Sequence, residues 1–174
     1  MSSTLWVLCG PPGAGKTTWT EANPVAGRVV CSTERLRTDR KLRSREGGLV
    51  AYLAGLRTKA QRALWLGSDV LVDGCNTRAG DRSTWLRIAR ECNASTHLVV
   101  FHTPLPTLLQ VQIARGRDGA DANKVRTYYQ EWQRALVAVR TEGWGSTTHV
   151  RRTDNGTGNV VVDMGTEYKR VSKW

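Results

Sequence analysis

The chain has 174 residues, 40% of them hydrophobic, with a formal net charge of +11 and a pI near 10.2, which fits one domain with its own core. No apolar run approaches the roughly eighteen residues of a membrane span, and no basic stretch followed by a cleavable apolar segment opens the chain, so membrane and exported classes are set aside and a cytoplasmic location is expected. Cys9, Cys31, Cys75 and Cys92 lie far apart and form no Cys-x-x-Cys pair, which predicts buried free thiols rather than disulfides or a metal centre.

Leu5-Trp6-Val7-Leu8-Cys9 is an apolar run of strand length, and Gly10-Pro11-Pro12-Gly13-Ala14-Gly15-Lys16-Thr17 follows it, satisfying Gly-x-x-x-x-Gly-Lys-Ser/Thr in full. A phosphate chain is held by backbone N–H groups, and side chains would block its approach; Gly10, Gly13 and Gly15 remove them, with Ala14 as the small residue between. The loop then enters the first turn of a helix, whose unpaired N–H groups and positive dipole end favour an anion. Lys16 is expected on the β and γ phosphates, Thr17 on a magnesium ion carried in with the nucleotide, and Thr18 beside it in the binding set. The ligand implied is a nucleoside triphosphate, ATP.

Lys16 to Ala22 is predicted as a short helix closed by Asn23-Pro24, with Trp19 packing it on the sheet. Arg28 to Cys31 makes a second strand, and Ser32 to Arg37 its end, a cap and a helix start. Ligands gather outside the carboxyl ends of strands in an open parallel sheet. Glu34 and Arg37 are therefore expected near the γ-phosphate if the second strand neighbours the first. Between Arg28 and Arg62 stand ten basic residues against three acidic ones. A solvated basic face and a polyanionic partner both explain such a cluster; its place after the second strand of a phosphate-handling chain favours the partner, a nucleic acid bound through residues 28–62.

Thr38 to Gly48 is a polar connection at the mouth of the site. Leu49, Leu53, Leu56, Ala60, Ala63 and Leu64 recur at spacings of three and four, a helix stopped at Gly67. Val70 to Asp73 is a third strand whose tip delivers Asp73-Gly74-Cys75-Asn76. A helix from Gly80-Asp81, with Trp85, Ile88, Ala89 and Cys92 on one side, leads to the nearly all-apolar strand 97–101. His102 at its end is expected to be a satisfied structural residue, and Thr107 to Ala114 helical. Arg115 to Asp121 is either ordinary glycine-loop surface or a segment that folds over the nucleotide and brings a guanidinium to the transferring group. Val125, Tyr128 or Tyr129, Trp132, Leu136 and Val139 stripe a last long helix, and one strand with a small hairpin or loose tail is expected after Gly143. The pattern is α/β: a P-loop NTPase-like parallel sheet flanked by helices over 1–142, with a short β-rich extension of the same domain over 143–174. No apolar strand ends in paired acids, as the mechanical ATPases have.

Together, Gly-Pro-Pro-Gly-Ala-Gly-Lys-Thr-Thr-Trp, Ser32-Thr33-Glu34-Arg35-Leu36-Arg37, Val-Asp73-Gly-Cys-Asn76 and Arg115-Gly116 ahead of a helix resemble the kinase domain of the phage-type 5′-hydroxyl polynucleotide kinases. The resemblance covers roughly residues 4–142 and implies a nucleic-acid repair enzyme. It implies that Glu34 stands where that family has an aspartate as general base on the acceptor hydroxyl, and that Arg37 contacts the acceptor's phosphate. It further implies that Asp73 and Asn76 help form the acceptor pocket, and that Arg115 and Arg117 are lid arginines over the donor phosphates. Glu34 is one methylene longer than the aspartate, which moves the acceptor about an ångström outward. Val160 to Thr166 echoes the start of the phosphatase domain of bifunctional members but lacks its second aspartate, so a kinase domain without that partner is expected.

The resulting expectation is an ATP- and magnesium-dependent kinase acting on a 5′-hydroxyl end of DNA or RNA, with Lys16, Glu34, Arg37 and Arg115 as its catalytic groups and no obligate protein partner. A hydroxyl on a modified base or a free nucleoside are alternative acceptors. A nucleotide-gated nucleic-acid-binding protein without transferase activity, in which Glu34 only caps a helix, is the alternative from another class.

Overall fold

The computed structural model describes residues 3–33, 46–116, 119–154 and 160–167, with side chains as far as residue 151. Strands β1 (Thr4–Cys9), β2 (Val29–Ser32), β3 (Val70–Asp73), β4 (Ser95–His102), β5 (Ser146–Asp154) and β6 (Val160–Glu167) form one sheet in the order β2-β3-β1-β4-β5-β6. The first five are parallel, and β6 returns antiparallel along β5. Helices α1 (Lys16–Ala22), α2 (Gly48–Trp65), α3 (Ala79–Glu91), α4 (Leu105–Ala114) and α5 (Ala122–Ala138) connect them. This is the α/β, P-loop NTPase-like arrangement the alternation of apolar runs predicts. The β-rich extension joins the same sheet instead of trailing from it.

The alternation along the central strands shows why the sheet is covered on both faces. Leu5, Val7 and Cys9 of β1, Val70 and Val72 of β3, and Leu98 and Val100 of β4 point into one core, shared with Ala60, Ala63 and Leu64 of α2 and Trp85, Ile88 and Ala89 of α3. Leu8, Leu71, Val99 and Phe101 point into the other, with Trp19 of α1 and Leu108 of α4. A strand buried on both sides has no polar face, hence the unbroken apolar runs. Trp19 packs edge-on against Phe101, as expected of it. α5 spans both cores, Val125 in one and Trp132 in the other, and its start is capped by Asp121, which accepts from the N–H groups of Asn123 and Lys124.

Several expectations are corrected. β3 lies between β2 and β1, so the second strand does not neighbour the first. Leu49, placed on the buried stripe of α2 by its spacing, is exposed, and the apolar residues of the helix that are fully buried, Ala60, Ala63 and Leu64, fall in its second half. α4 begins at Leu105 with Pro106 inside its first turn, where a missing N–H costs nothing. Cys9 and Cys31 are buried free thiols, whereas Cys75 and Cys92 are partly exposed. Burial pushes the Cys9 thiol up to about 12. No helix among the described residues is long and apolar enough to cross a membrane.

The β4–β5 seam carries three half-buried histidines, His97 and His102 on β4 and His149 on β5. His97 lies between the hydroxyls of Ser146 and Thr148, at 2.6 and 2.8 Å, and over the ring of Trp6. His102 is hydrogen-bonded to His149 at 2.7 Å and meets the ring of Trp132 edge-on, a structural role as expected. Burial lowers the pKa of His97 and of His102 to about 4, with the neighbouring charges of His149 and Arg151 adding to the effect at His102. The unfolded chain, with histidines near 6.5, therefore takes up protons before the folded one does. Stability is full above about pH 6.5 and is lost as pH falls towards 4. Thermal unfolding followed from pH 7.5 to 4.5 should show the midpoint falling below pH 6.5, with a shallower slope in His102→Gln. A midpoint flat down to pH 5 would contradict it.

Candidate active site

The phosphate loop leaves β1 at Gly10 and closes into α1 at Lys16. Gly10 and Gly13 are required by contact, and Gly13 and Gly15, at φ 87° and 91°, by backbone freedom. A side-chain carbon at Gly10 would lie 2.9 Å from the Cβ of Phe101, and one at Gly13 would lie 2.5 Å from Gln112 Nε2 and 3.3 Å from Val111 Cγ1. At these two positions the loop is seated on β4 and α4 with no room for a side chain, whereas Gly15 has open space beside it. Lys16 is almost fully buried, and its ammonium donates to the carbonyls of Gly10 and Pro11 at 2.9 and 2.8 Å. This draws the lysine across the loop it belongs to, with the cation held where anionic oxygens would enter. Ala14 is buried, and Thr17 and Thr18 are exposed at the start of α1.

Asp73, at the tip of β3, is 6% exposed. Its Oδ2 accepts from the hydroxyl of Thr17 and from that of Ser32, both at 3.3 Å. Thr33 donates its N–H to the Asp73 carbonyl at 2.9 Å. A single carboxylate therefore joins the phosphate loop to the end of β2. One carboxylate and two hydroxyls suit a hard, oxygen-seeking cation such as Mg²⁺. A pattern of paired acids does not single out this residue, since its neighbour on the loop is a threonine. The strand–loop–Lys–Thr context with an aspartate ending the adjacent strand is the signal that finds it, once adjacency is known.

The residues after Asp73 hold the loop in place. Gly10 donates its N–H to the Cys75 carbonyl at 2.9 Å. Both ends of the Asn76 amide are engaged within the fold. Its Nδ2 donates to the Leu8 carbonyl at 2.7 Å and its Oδ1 accepts from the indole of Trp85. Asn76 takes φ 44°, a left-handed conformation that asparagine tolerates better than most residues. Below it lies Arg82, 1% exposed. It donates to the carbonyls of Asn76 and Thr77 at 3.0 and 2.8 Å and forms a two-pronged pair with Glu142 at 2.8 and 2.6 Å. Burial opposes the charge of Arg82, but its bonds to Glu142 outweigh that and hold its pKa above the usual value. Neither residue is singled out by sequence reading; Arg82 stands three before Trp85 on the buried stripe of α3, which is the one available hint.

Arg115 caps the C-terminus of α4 and is exposed, one turn beyond Gln112. Gln112 is buried, and its Oε1 accepts from the N–H of Ala120 at 2.8 Å. Because Ala120 can only donate there, Nε2 is fixed towards Gly13, where it has no partner among the described residues. An orphaned buried donor costs about 1–3 kcal/mol. Beside an anion-binding loop it suits a phosphate-bearing ligand, as do the bare cradle of glycines and Lys16. Glu34, Arg37 and Arg117 lie outside the described residues, together with the basic residues between 35 and 45; Arg28, Arg57, Lys59 and Arg62 of the same cluster are described.

A family profile described as an AAA domain matches residues 5–139. No curated protein sequence matches the chain. Among solved structures, the chain resembles one from the Pnkp1/Rnl/Hen1 RNA repair complex, with a TM-score of 0.67 at 17% identity over 79% of this chain; it spans only 46% of that one. It also resembles Kti12 of Chaetomium thermophilum, solved in complex with ADP-AlF3, with a TM-score of 0.55 at 17% identity, covering 73% of this chain and 79% of that one. A gluconokinase from Sinorhizobium meliloti 1021 gives 0.57 at 16% identity, covering 86% of this chain and 82% of that one. Likeness at these identities shows a shared fold.

Proposed function

The chain belongs to the AAA domain family, and from that premise we propose that it is an ATP-dependent phosphotransferase acting on a 5′-hydroxyl end of DNA or RNA. The observation that carries this is the bridge at Asp73. It ties Thr17 of the phosphate loop to Ser32 and, through Thr33, to the start of the segment that contains Glu34 and Arg37. Glu34 follows Thr33 directly in sequence, which supports a reading in which the acceptor side adjoins the donor site, as an in-line transfer needs.

In this reading Lys16 and the loop N–H groups bind the β and γ phosphates. Thr17, Asp73 and Ser32 supply oxygens for Mg²⁺, which when bound neutralises charge on the phosphates. Glu34 takes the proton of the acceptor hydroxyl, Arg37 binds the acceptor's phosphate, and Arg115, with Arg117, stabilises charge on the group in transfer. Asp73 is assigned to the metal instead of the acceptor pocket, and Asn76 to holding the loop. The polynucleotide acceptor is supported by the local excess of basic residues over 28–62, which a small neutral acceptor does not require, and by the likeness to a structure from an RNA repair complex.

The test is transfer of label from γ-labelled ATP to 5′-hydroxyl DNA and RNA strands, the same strands already 5′-phosphorylated, and free nucleosides. Label is expected on the 5′-hydroxyl strands alone, falling about 10²- to 10⁴-fold in Glu34→Gln. Label on the blocked strands would place the acceptor on a base. Label on nucleosides alone would indicate a small-molecule kinase, and ATP binding without transfer a nucleotide-gated binding protein.

A further inference from the structure

Helix α2 (Gly48–Trp65) carries Arg57, Lys59 and Arg62 and no acidic residue. Its second turn is fixed to the site, because the Tyr52 hydroxyl donates to the Ser32 carbonyl at 2.9 Å and Ser32 in turn bonds Asp73. From there the helix runs about 20 Å away from the site's edge and ends at Trp65, which is 64% exposed. Trp19, Trp85, Trp132 and Trp144 are buried and Trp6 is half-buried, so Trp65 is the exposed tryptophan among those described. Ala60, Ala63 and Leu64 form the buried face; Arg62 and Trp65, one turn apart, lie off it on the solvent side. Lys59 is held by the Val30 carbonyl. Arg57 and Arg62 have no acidic partner among the described residues. Glu91, which approaches the helix at Gln61, is itself paired with Arg87.

An exposed indole one turn from the exposed Arg62, with the half-buried Arg57 about 12 Å back along the helix, calls for a ligand with flat apolar faces and negative charge. We propose that the solvent side of α2 is the track for the single-stranded stretch of the nucleic-acid acceptor, with Arg57 and Arg62 on its phosphates and Trp65 stacked on one of its bases. A second copy of the chain fits this face less well. Pairing two such helices would bring three cations from each together with no acid on either. The inference rests on the polynucleotide reading of the site and extends it to a contact several nucleotides from the reacting end.

The experiment is binding of 3′-labelled twelve-nucleotide oligo-dT and oligo-U, followed by fluorescence anisotropy at several salt concentrations. Wild type, Trp65→Ala, Trp65→Phe and the double variant Arg57→Ala/Arg62→Ala are compared, with label transfer from ATP and sedimentation run in parallel. Kd should rise about 5- to 100-fold in Trp65→Ala and largely recover in Trp65→Phe. The arginine variant should flatten the salt dependence by about one to two phosphate contacts. Unchanged Kd in Trp65→Ala, no binding by the wild type, or a dimer that Trp65→Ala dissociates would each overturn the track. Binding that depends on Trp65 in a protein that labels no 5′-hydroxyl strand would sink the kinase reading and leave the track standing. Transfer to 5′-hydroxyl strands with Kd unmoved by Trp65→Ala would do the reverse.

Discussion

Asp73→Asn is expected to lower transfer by about 10²- to 10⁴-fold and to raise the magnesium concentration needed for half-maximal rate by about 10- to 100-fold. The reason is where the carboxylate sits. It is buried at the tip of β3, with one oxygen shared between Thr17 and Ser32, and in the proposed role it supplies the negative charge that lets a threonine hydroxyl and a cation occupy the same corner. Asparagine keeps the shape and can still bond both hydroxyls, but it removes the charge. Folding should survive, and the loss should appear in catalysis. A magnesium titration of initial rates separates the two roles open to this residue. If Asp73 lined the acceptor pocket, as the resemblance to polynucleotide kinases implies, the KM for the 5′-hydroxyl strand would rise while the magnesium dependence stayed where it was, and the metal assignment would be wrong.

Loss of Arg82 should be the largest single blow to stability. Arg82→Met leaves Glu142 without its two-pronged partner and frees the carbonyls of Asn76 and Thr77, which Arg82 holds from below. Removing one member of a buried pair typically costs about 3–5 kcal/mol, or roughly 6–20 °C in melting temperature for a chain of this size. Glu142→Gln should cost less, because Trp144 also donates to that carboxylate and glutamine can still accept. The double variant should be less destabilised than the two single effects added, since the unpaired carboxylate is gone. Urea unfolding of all four proteins gives the coupling energy, and a value near zero would show that the pair does not act as a unit. Below the melting range Arg82→Met should also weaken ATP binding, because the Asn76–Thr77 turn adjoins Cys75, whose carbonyl receives the Gly10 N–H.

Those two residues differ in how visible they are beforehand. Asp73 stands in a recognisable place, the polar end of an apolar strand, and sequence reading brings it to the strand tips beside the phosphate loop. Arg82 is invisible because its partner is sixty positions away and its spacing on α3 marks it only as one more residue near a buried stripe. Asn76 also reaches attention as a polar strand-tip residue. Its amide proves to be engaged where β1 and β3 part, leaving the Leu8 carbonyl in need of a donor. Strand tips attract both ligand-binding and loop-holding polar residues, and composition does not separate them.

The phosphate loop, the α/β class and the concentration of positive charge are legible in the order of the amino acids, because each is written locally: eight consecutive residues, apolar runs of strand or helix period, and a count of lysines and arginines. The folded chain alone reveals that β3 lies between β2 and β1, that Asp73 therefore faces Thr17, that β6 turns back antiparallel on β5, and that Trp65 faces solvent while its neighbour Leu64 is buried. Strand order and side-chain partnership are set by hydrogen bonds and packing between segments tens of residues apart, and a periodicity that says which face of an element is apolar does not say what that face will meet.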